Sequence, residues 1–210
     1  VHNIEMSFPI SEFTFDGADE SKVESQDASG HFFGQSVAIN GDTMVVGSHS
    51  DGNGSIRVFK RSAIGWVQEG EKLSPQGLTA GARFGYSVDI QGNMIIAGAY
   101  NDLDGYGSAY MYKRIGTSWT LMGRLDTTDS ISGGMFGWSV RISGEYAIIG
   151  AHGDDDKGVA SGSAYVFKLS ESGWAMEAKI VASDGTTNSN FGYNVSIEGD
   201  FAIIGAPGDD

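Results

Sequence analysis

The pair Phe-Gly recurs four times along the chain at nearly constant spacing. The copies lie at residues 33–34, 84–85, 136–137 and 191–192, so they begin 51, 52 and 55 residues apart. Each pair opens a similar stretch, such as FGYSVDIQGNMIIAGA and FGWSVRISGEYAIIGA. A period of this length is typical of proteins built from one repeated supersecondary unit. The chain is therefore expected to fold as a series of like units.

Each period is predicted to contain four short strands. The first, such as 87–90, alternates polar and apolar residues as a half-buried strand does. The second, such as 94–97, is a continuous apolar run that is typical of a strand covered on both faces. The third is rich in aromatic and β-branched residues, and the fourth begins at a tryptophan and ends in a basic-plus-aliphatic pair. These segments are 55–60, 108–113 and 163–168 for the third strand, and Trp66 to Leu73, Trp119 to Leu125 and Trp174 to Ile180 for the fourth.

Four antiparallel strands per period describe a β-propeller. A β-solenoid needs shorter coils, and a sandwich would not repeat its own sequence. We predict an all-β chain with about 51–55 residues per four-stranded antiparallel blade, three complete blades and a split or partial fourth. The predicted divisions are an N-terminal segment at 1–32, blades at 33–83, 84–135 and 136–190, and the first half of a fourth blade at 191–210.

The Phe-Gly opening and the Gly-Ala close of each copy, which ends at 205–210 as Gly-Ala-Pro-Gly-Asp-Asp, resemble the FG-GAP repeat. This is the repeat of integrin α-subunit propellers and of many secreted bacterial and algal proteins. Integrin-type copies carry a calcium loop, Asp-x-Asp-x-Asp-Gly, between the Phe-Gly and the Gly-Ala-Pro, and here that interval holds only strand residues and a turn. The chain is therefore similar to the shorter, metal-free variety, and the resemblance implies protein or glycan partners at the loop faces.

The fourth period stops after its second strand, and an unpaired strand edge invites a partner. Residues 13–19 resemble the end of a fourth strand at 179–184, so residues 1–15 are expected to supply the two outer strands of the last blade. Two alternatives remain open. The chain could be an arc of a larger, for example seven-bladed, propeller, or its open edges could pair with neighbouring chains. Closure into a four-bladed ring or continuation into a larger one is favoured over such pairing. Residues 20–29 are polar and are predicted to form an exposed loop.

The loop after each second strand carries acidic or amide residues two positions apart, followed by glycine. Oxygen atoms in this arrangement can wrap a hard cation such as calcium. Tight turns use the same residues, and a calcium loop needs six or more oxygen ligands, so the turn interpretation is preferred and no cofactor is required. The candidate metal ligands are Asp51, Asn53, Asp102, Asp104, Asp154 and Asp156.

Two Asn-x-Ser sequences make Asn53 and Asn194 candidate glycosylation sites. Asn53 falls in a predicted loop and Asn194 in a predicted first strand. His49 and His152 share one position of the repeat, after Gly-Ser or Gly-Ala. Histidines two blades apart do not have the spacing of metal ligands, so they are interpreted as loop residues.

The charge of the chain limits its partners. Lys and Arg number 13 against 27 Asp and Glu, and the net charge of −14 repels nucleic acid and anionic lipid. There is no cysteine, and no apolar run is long enough to insert into a membrane. No nucleophile with a base, carboxylate pair or phosphate loop stands apart from the repeat, so the chain is not expected to be an enzyme.

We therefore expect an extracellular or cell-surface propeller that acts as a structural or adhesion module, for example in a fibre or matrix. The alternative is a lectin-like or carbohydrate-active domain that uses the axial face. Acidic and aromatic side chains from different blades that meet at one end of the axis would favour this alternative.

Overall fold

A computed structural model describes residues 4–6, 21–25 and 31–209. Within these residues the chain forms sixteen strands and one four-residue helical turn. They are β1 (Ile4–Met6), β2 (Ser21–Val23), β3 (Val37–Asn40), β4 (Thr43–Ser48), β5 (Ser55–Ser62), β6 (Gly65–Gln68), β7 (Ser87–Gln91), β8 (Met94–Ala99), α1 (Asp102–Gly105), β9 (Ser108–Ile115), β10 (Ser118–Leu125), β11 (Ser139–Ser143), β12 (Tyr146–Ala151), β13 (Ser163–Ser170), β14 (Gly173–Ile180), β15 (Asn194–Glu198) and β16 (Phe201–Gly205).

Three antiparallel sheets have four strands each, in the order of the sequence. They are blade 1 (β3 to β6), blade 2 (β7 to β10) and blade 3 (β11 to β14), and β15 with β16 forms the first half of blade 4. The predicted all-β propeller class, with three complete blades and a partial fourth, is confirmed. The ring is not closed within the described residues.

A two-residue turn joins the first and second strands of every blade. Its first residue is always glycine, at Gly41, Gly92, Gly144 and Gly199, with φ between +55° and +59°. Other residues adopt this left-handed conformation only at a cost, so the repeated glycine fixes the hairpin register. The second strand that follows is buried along almost its whole length in blades 1 to 3, as its apolar sequence predicts.

Apolar side chains fill the space between successive blades. Phe84 and Phe136, from two of the Phe-Gly pairs, are fully buried between the preceding blade and their own. Burying a side chain of this kind stabilises the fold by about 1.5–3 kcal/mol. Each phenylalanine also joins the preceding blade by a parallel bridge, Phe84 to Gly54 and Phe136 to Gly107. The phenylalanine of the repeat therefore ties each blade to the one before it.

The glycines of the repeat bring the inner ends of the blades into backbone contact. A Cβ atom on Gly47 would lie 1.9 Å from the carbonyl oxygen of Gly85, and one on Gly150 would lie 1.9 Å from that of Gly192. No side chain fits in these gaps. In blades 1 to 3 the glycine of the Gly-Ala or Gly-Ser close is thus paired with the Phe-Gly glycine of the next blade.

The N-terminal residues differ from the prediction. Ser21–Val23 is a strand paired with Ile4–Met6, and Val23 is buried against Phe33 and Met44, so residues 20–29 are not wholly an exposed loop. Val23 precedes Phe33 by ten residues, much as Leu125 precedes Phe136 by eleven. The pair Lys22-Val23 therefore takes the place of the basic-plus-aliphatic pair that ends an outer strand, while residues 13–19, to which the prediction assigned it, lie outside the described residues.

Candidate ligand-binding site

Two positions of the repeat meet at one end of every blade. The residue after each Phe-Gly leads into the first strand, and the residue after each Gly-Ala or Gly-Ser follows the second. Because the two strands are antiparallel, and Gly85 N–H donates to the carbonyl oxygen of Gly98 at 2.9 Å, these residues lie side by side. In blade 2 they are Tyr86 and Tyr100, whose ring centroids are 4.6 Å apart.

Aromatic and imidazole rings at these positions touch from blade to blade. Trp138 of blade 3 contacts Tyr86 at 4.6 Å and Tyr100 at 5.0 Å, and on its other side it contacts His152 at 4.6 Å and Tyr193 at 5.4 Å. The row extends into blade 1 through His49, which lies 5.4 Å from Tyr86 and stacks at 4.8 Å on Phe32. Phe32 precedes the first Phe-Gly pair, and Gln35 follows that pair. We call this row the aromatic arc, and its members are Phe32, His49, Tyr86, Tyr100, Trp138, His152 and Tyr193.

Most rings of the aromatic arc are open to solvent in part. Phe32 is 45% exposed and Tyr193 is 37% exposed at its two ends, whereas His49 is buried. Tyr86 and Trp138 in the middle are half-buried. Edge-to-face and tilted ring contacts at these distances hold the rings in a fixed arrangement. The arc is thus a rigid, partly accessible aromatic surface built by four consecutive blades.

The surroundings of three rings of the aromatic arc, His49, His152 and Tyr86, favour their neutral forms. Burial, together with the nearby Arg83 guanidinium, holds the pKa of His49 below its ordinary value. Burial also lowers the pKa of His152, although a contact of 3.4 Å between its Nδ1 and Oδ1 of Asn190 acts in the opposite direction. Burial raises the pKa of Tyr86, so its hydroxyl stays neutral.

The acidic loops lie beside the aromatic arc, and their first carboxylates bind to their own blades. Tyr110 donates to Oδ2 of Asp102 at 2.6 Å, and Tyr165 donates to Oδ2 of Asp154 at 2.6 Å. The equivalent contact in blade 1 is from Arg57 to Asp51 at 3.3 Å. Each donor stands at the third position of the third strand. These aspartates therefore fasten the loop to the third strand in each complete blade.

A lysine completes this arrangement in blades 1 and 3, and it follows β6 in blade 1 and lies on β14 in blade 3. Lys72 donates to both carboxylate oxygens of Asp51, at 2.7 and 2.9 Å. Lys179 lies 2.8 Å from Asp156, 3.0 Å from Asp129 and 3.5 Å from the buried carboxylate of Asp154. The ammonium group of Lys179 thus occupies the centre of three carboxylates.

These contacts set the acidity of the loop carboxylates. Burial alone would raise the pKa of Asp102, but hydrogen bonds from Tyr110 and Thr79 outweigh it and hold the pKa below its usual value. For Asp154 burial is the stronger effect and raises the pKa, despite the hydrogen bond from Tyr165 and the charge of Lys179. Its Oδ1 is buried without a hydrogen-bond partner among the described residues.

The remaining predicted residues lie at the surface. Asn53 is exposed and joins its loop to the segment before blade 2, since its Oδ1 accepts from Gly81 N–H at 3.1 Å and its Nδ2 donates to the carbonyl oxygen of Leu78 at 3.3 Å. Asp104, within α1, is exposed, and Asn194 is exposed on β15. Neither the structure nor the comparisons test glycosylation of Asn53 or Asn194, which stays a prediction.

The described ranges contain no group of three or more His, Asp or Glu side chains placed to hold a metal ion. Calcium binding by the six candidate ligands stays a prediction as well. The structure brings Asp154 and Asp156 together around Lys179, and it places Asp51, Asp102 and Asp154 in three separate blades.

The sequence-based prediction did not identify the aromatic arc. The sequence nevertheless indicates the aromatic arc. The residue after Phe-Gly is aromatic in three copies, as Tyr86, Trp138 and Tyr193, and the residue after Gly-Ser or Gly-Ala is a histidine in two, as His49 and His152. These residues are about fifty positions apart, and only the close packing of the blades brings their rings together. The two histidines, interpreted as loop residues, belong to this surface.

The fold and the site define a β-propeller built from repeated four-stranded blades, with an aromatic surface at one end of the blades. A family model described as the FG-GAP repeat matches residues 18–59, 66–112, 119–167 and 174–210. The chain belongs to the FG-GAP repeat family. Repeats of this family suggest a propeller of the binding or adhesion type and are typical of extracellular or cell-surface proteins.

Comparison with solved structures finds a crystal structure of Sqt1 from Saccharomyces cerevisiae, with a TM-score of 0.49 and 11% identity. The match covers 74% of this chain and 37% of that one. No curated protein matches the chain. Within the described residues, no helix has the length and apolar character needed to cross a membrane.

Proposed function

We propose that the chain is an extracellular binding module that holds its ligand against the aromatic arc. The observation that carries this proposal is the contact of Trp138 with rings of blades 2, 3 and 4. A surface of this kind needs every blade in place, and it leaves rings such as Tyr193 accessible. Contiguous apolar surface that stays exposed on a soluble protein often marks an interaction site.

The ligand class that suits the aromatic arc is an uncharged glycan. Aromatic faces stack on the apolar faces of sugar rings, while hydroxyl and imidazole groups at their edges offer hydrogen bonds. The net charge of −14 acts against acidic polysaccharides and nucleic acid. The lectin-like alternative drawn from the sequence is therefore the form of binding module that we favour.

Hydrolysis of a glycan is not part of this proposal. A glycosidase needs two free carboxyl groups on either side of the scissile bond. The loop carboxylates Asp102 and Asp154 each accept a hydrogen bond from a tyrosine of their own blade. FG-GAP propellers are also typically non-enzymatic.

A glycan array with the purified chain, followed by calorimetric titration of the best ligand, tests the proposal. Tyr193→Ala and Phe32→Ala remove partly exposed rings, so affinity should fall at least about tenfold while the melting temperature changes little. Tyr106→Ala is the matched control, because Tyr106 is 42% exposed and lies outside the aromatic arc.

Equal binding by wild type, Tyr193→Ala and Phe32→Ala would overturn the proposed site. If the array is silent but a protein ligand is lost on the same substitutions, the site stands and the glycan class is wrong.

A further inference from the structure

A pocket of about 260 Å³ lies between blades 2 and 3, and none of the described residues that line it belongs to the aromatic arc. Its wall is mainly apolar, with three methionines from blade 2 and two large side chains from blade 3. They are Met94, Met111, Met122, Leu169 and Trp174. An apolar protein cavity of about 150 Å³ is large enough to bind benzene. This pocket therefore has room for an aromatic ring or a short alkyl chain.

An ion pair stands at the equivalent place between blades 1 and 2. Arg114 of blade 2 pairs with Glu69, which follows β6 of blade 1. The indole Nε1 of Trp119 donates to Oε2 of the same glutamate at 3.1 Å. The indole N–H, the guanidinium and the carboxylate thus satisfy one another at this junction.

Two apolar residues replace this ion pair at the junction of blades 2 and 3. Met122 stands three residues after the tryptophan of its blade, as Glu69 does. Leu169 is the seventh residue of β13, as Arg114 is of β9. Both Met122 and Leu169 line the pocket. The pocket therefore takes the place of the charged side chains of the neighbouring junction.

The replacement leaves one polar group without a partner. Trp174 is the blade 3 counterpart of Trp119 and packs against the core cluster of blades 2 and 3. Its Nε1 is buried and has no hydrogen-bond partner among the described residues. Met122 stands where Glu69 accepts from Trp119, so this N–H faces the side of the junction on which the pocket lies. Buried N–H groups are nearly always paired in folded proteins, so Nε1 points to a ligand that brings an oxygen atom.

Positive charge also lines the pocket, although the net charge of the chain is −14. Lys113 and Arg124 are both exposed at its wall. Arg124 pairs with Asp126 at 2.7 Å, whereas Lys113 has no carboxylate partner within the described part of the chain. An unpaired ammonium group beside an apolar wall is suited to an anion with an apolar body.

We propose that this pocket binds a small carboxylic acid with an apolar body, such as a medium-chain fatty acid. The alkyl chain packs against Met94, Met111 and Leu125. The carboxylate accepts a hydrogen bond from Trp174 Nε1 and pairs with the ammonium group of Lys113. The ligand thus supplies the carboxylate that the neighbouring junction holds in its own sequence. The proposal does not depend on glycan binding by the aromatic arc.

Calorimetric titration of the full chain with octanoate tests the proposal. The wild type should bind octanoate in a saturable way, and at least about tenfold more tightly than octanol, which has the same alkyl chain and no charge. Trp174→Phe keeps an aromatic ring and removes the N–H, and Lys113→Met keeps an unbranched side chain and removes the charge. Each should weaken octanoate binding about tenfold. Lys60→Met is the matched control, because Lys60 is the equivalent lysine on β5 and lies outside the pocket.

A double variant, Met122→Glu with Leu169→Arg, transfers the ion pair of the neighbouring junction to this one. It should abolish octanoate binding, because a carboxylate at position 122 would accept from Trp174 in place of the ligand. The melting temperature should stay close to that of the wild type, since the blade 1 to blade 2 junction already accommodates these side chains.

Methyl NMR of the methionine side chains shows where octanoate binds. The signals of Met111 and Met122 should shift on titration, whereas that of Met44, buried in blade 1, should not. Equal affinity for octanoate and octanol, or affinity unchanged in both Trp174→Phe and Lys113→Met, would overturn the proposal. Binding of a peptide C-terminus without binding of octanoate would overturn it too.

Discussion

A Cβ atom on Gly98 would lie 1.9 Å from the carbonyl oxygen of Gly137, so these residues hold blades 2 and 3 in backbone contact. The same contact recurs at each complete junction, and it sets the distance across which the rings of the aromatic arc meet. The glycines of the repeat are therefore needed for the close approach of the blades as well as for their turns.

Gly98→Ala should destabilise the fold, because the added methyl group can be accommodated only if the two blades separate. The expected loss is at least about 2 kcal/mol in the free energy of unfolding, measured in urea. Gly205→Ala is the matched control at the equivalent position of blade 4, where the nearest atom would be 3.7 Å away. Equal losses in the two variants would contradict this account.

Asp102→Asn should remove about 1–3 kcal/mol of stability at neutral pH, since it weakens the hydrogen bonds from Tyr110 and Thr79. The pKa of Asp102 is lower in the fold than in the unfolded chain, whose aspartates titrate near pH 3.9. Its contribution is therefore complete above about pH 4 and is lost as the pH falls through the folded-state value. Denaturation curves at several pH values should show the difference between variant and wild type narrowing in acid. Asp104→Asn, on the exposed side of the same loop, should change neither the free energy of unfolding at neutral pH nor its dependence on pH.

The histidines of the aromatic arc should make stability fall on mild acidification. Their pKa values lie below the unfolded value of about 6.5, so the unfolded chain binds protons first as the pH drops below that value. Stability is complete above about pH 6.5 and decreases down to the folded-state pKa. His49→Tyr with His152→Tyr should flatten this part of the profile, because Tyr100 already occupies the position in blade 2. If the free energy of unfolding of the double variant falls as steeply between pH 5 and about 6.5 as that of the wild type, groups other than these histidines cause the decrease.

Lys179→Ala should make the stability of blade 3 depend on an added cation, because it leaves Asp129, Asp154 and Asp156 without the ammonium group that lies among them. The ammonium group lies among three carboxylates, and its loss removes a positive charge 3.5 Å from the buried carboxylate of Asp154. We expect a lower melting temperature that millimolar calcium partly restores, because a bound ion stabilises the fold by mass action. The wild type and Lys157→Ala, in the same loop, should not respond. A wild-type midpoint that rises with calcium would instead support the loops as calcium sites.

The sequence predicted the blades because their causes are local and repeated. The glycine turn of each hairpin, the apolar second strand and the buried phenylalanine all recur in register, so four copies reinforce one interpretation. The N-terminal strands were harder, because β1 and β2 have three residues each and the interval from Val23 to Phe33 is one residue shorter than in the other copies. Residues 13–19 resemble the end of the fourth strand at 179–184 over more positions than the pair Lys22-Val23 does.

The site could be predicted only in part. Turn chemistry located Asp102 and Asp154 in loops, but their burial and their tyrosine partners follow from how strands and loops fold over one another. The contact of Trp138 with Tyr86 depends on the separation of two blades, which the glycines set. The sequence shows which aromatic residues stand at these positions. It does not show how far apart their rings lie in the folded chain.

The family repeat begins in the outer strand of one blade and ends in the third strand of the next, as residues 66–112 do between β6 and β9. Each covalent unit therefore straddles a junction. Adding or removing one such unit would preserve the contacts at every remaining junction. Arrays of this kind can change length during evolution without redesigning any contact, and selection on the number of blades can act separately from selection on their surfaces.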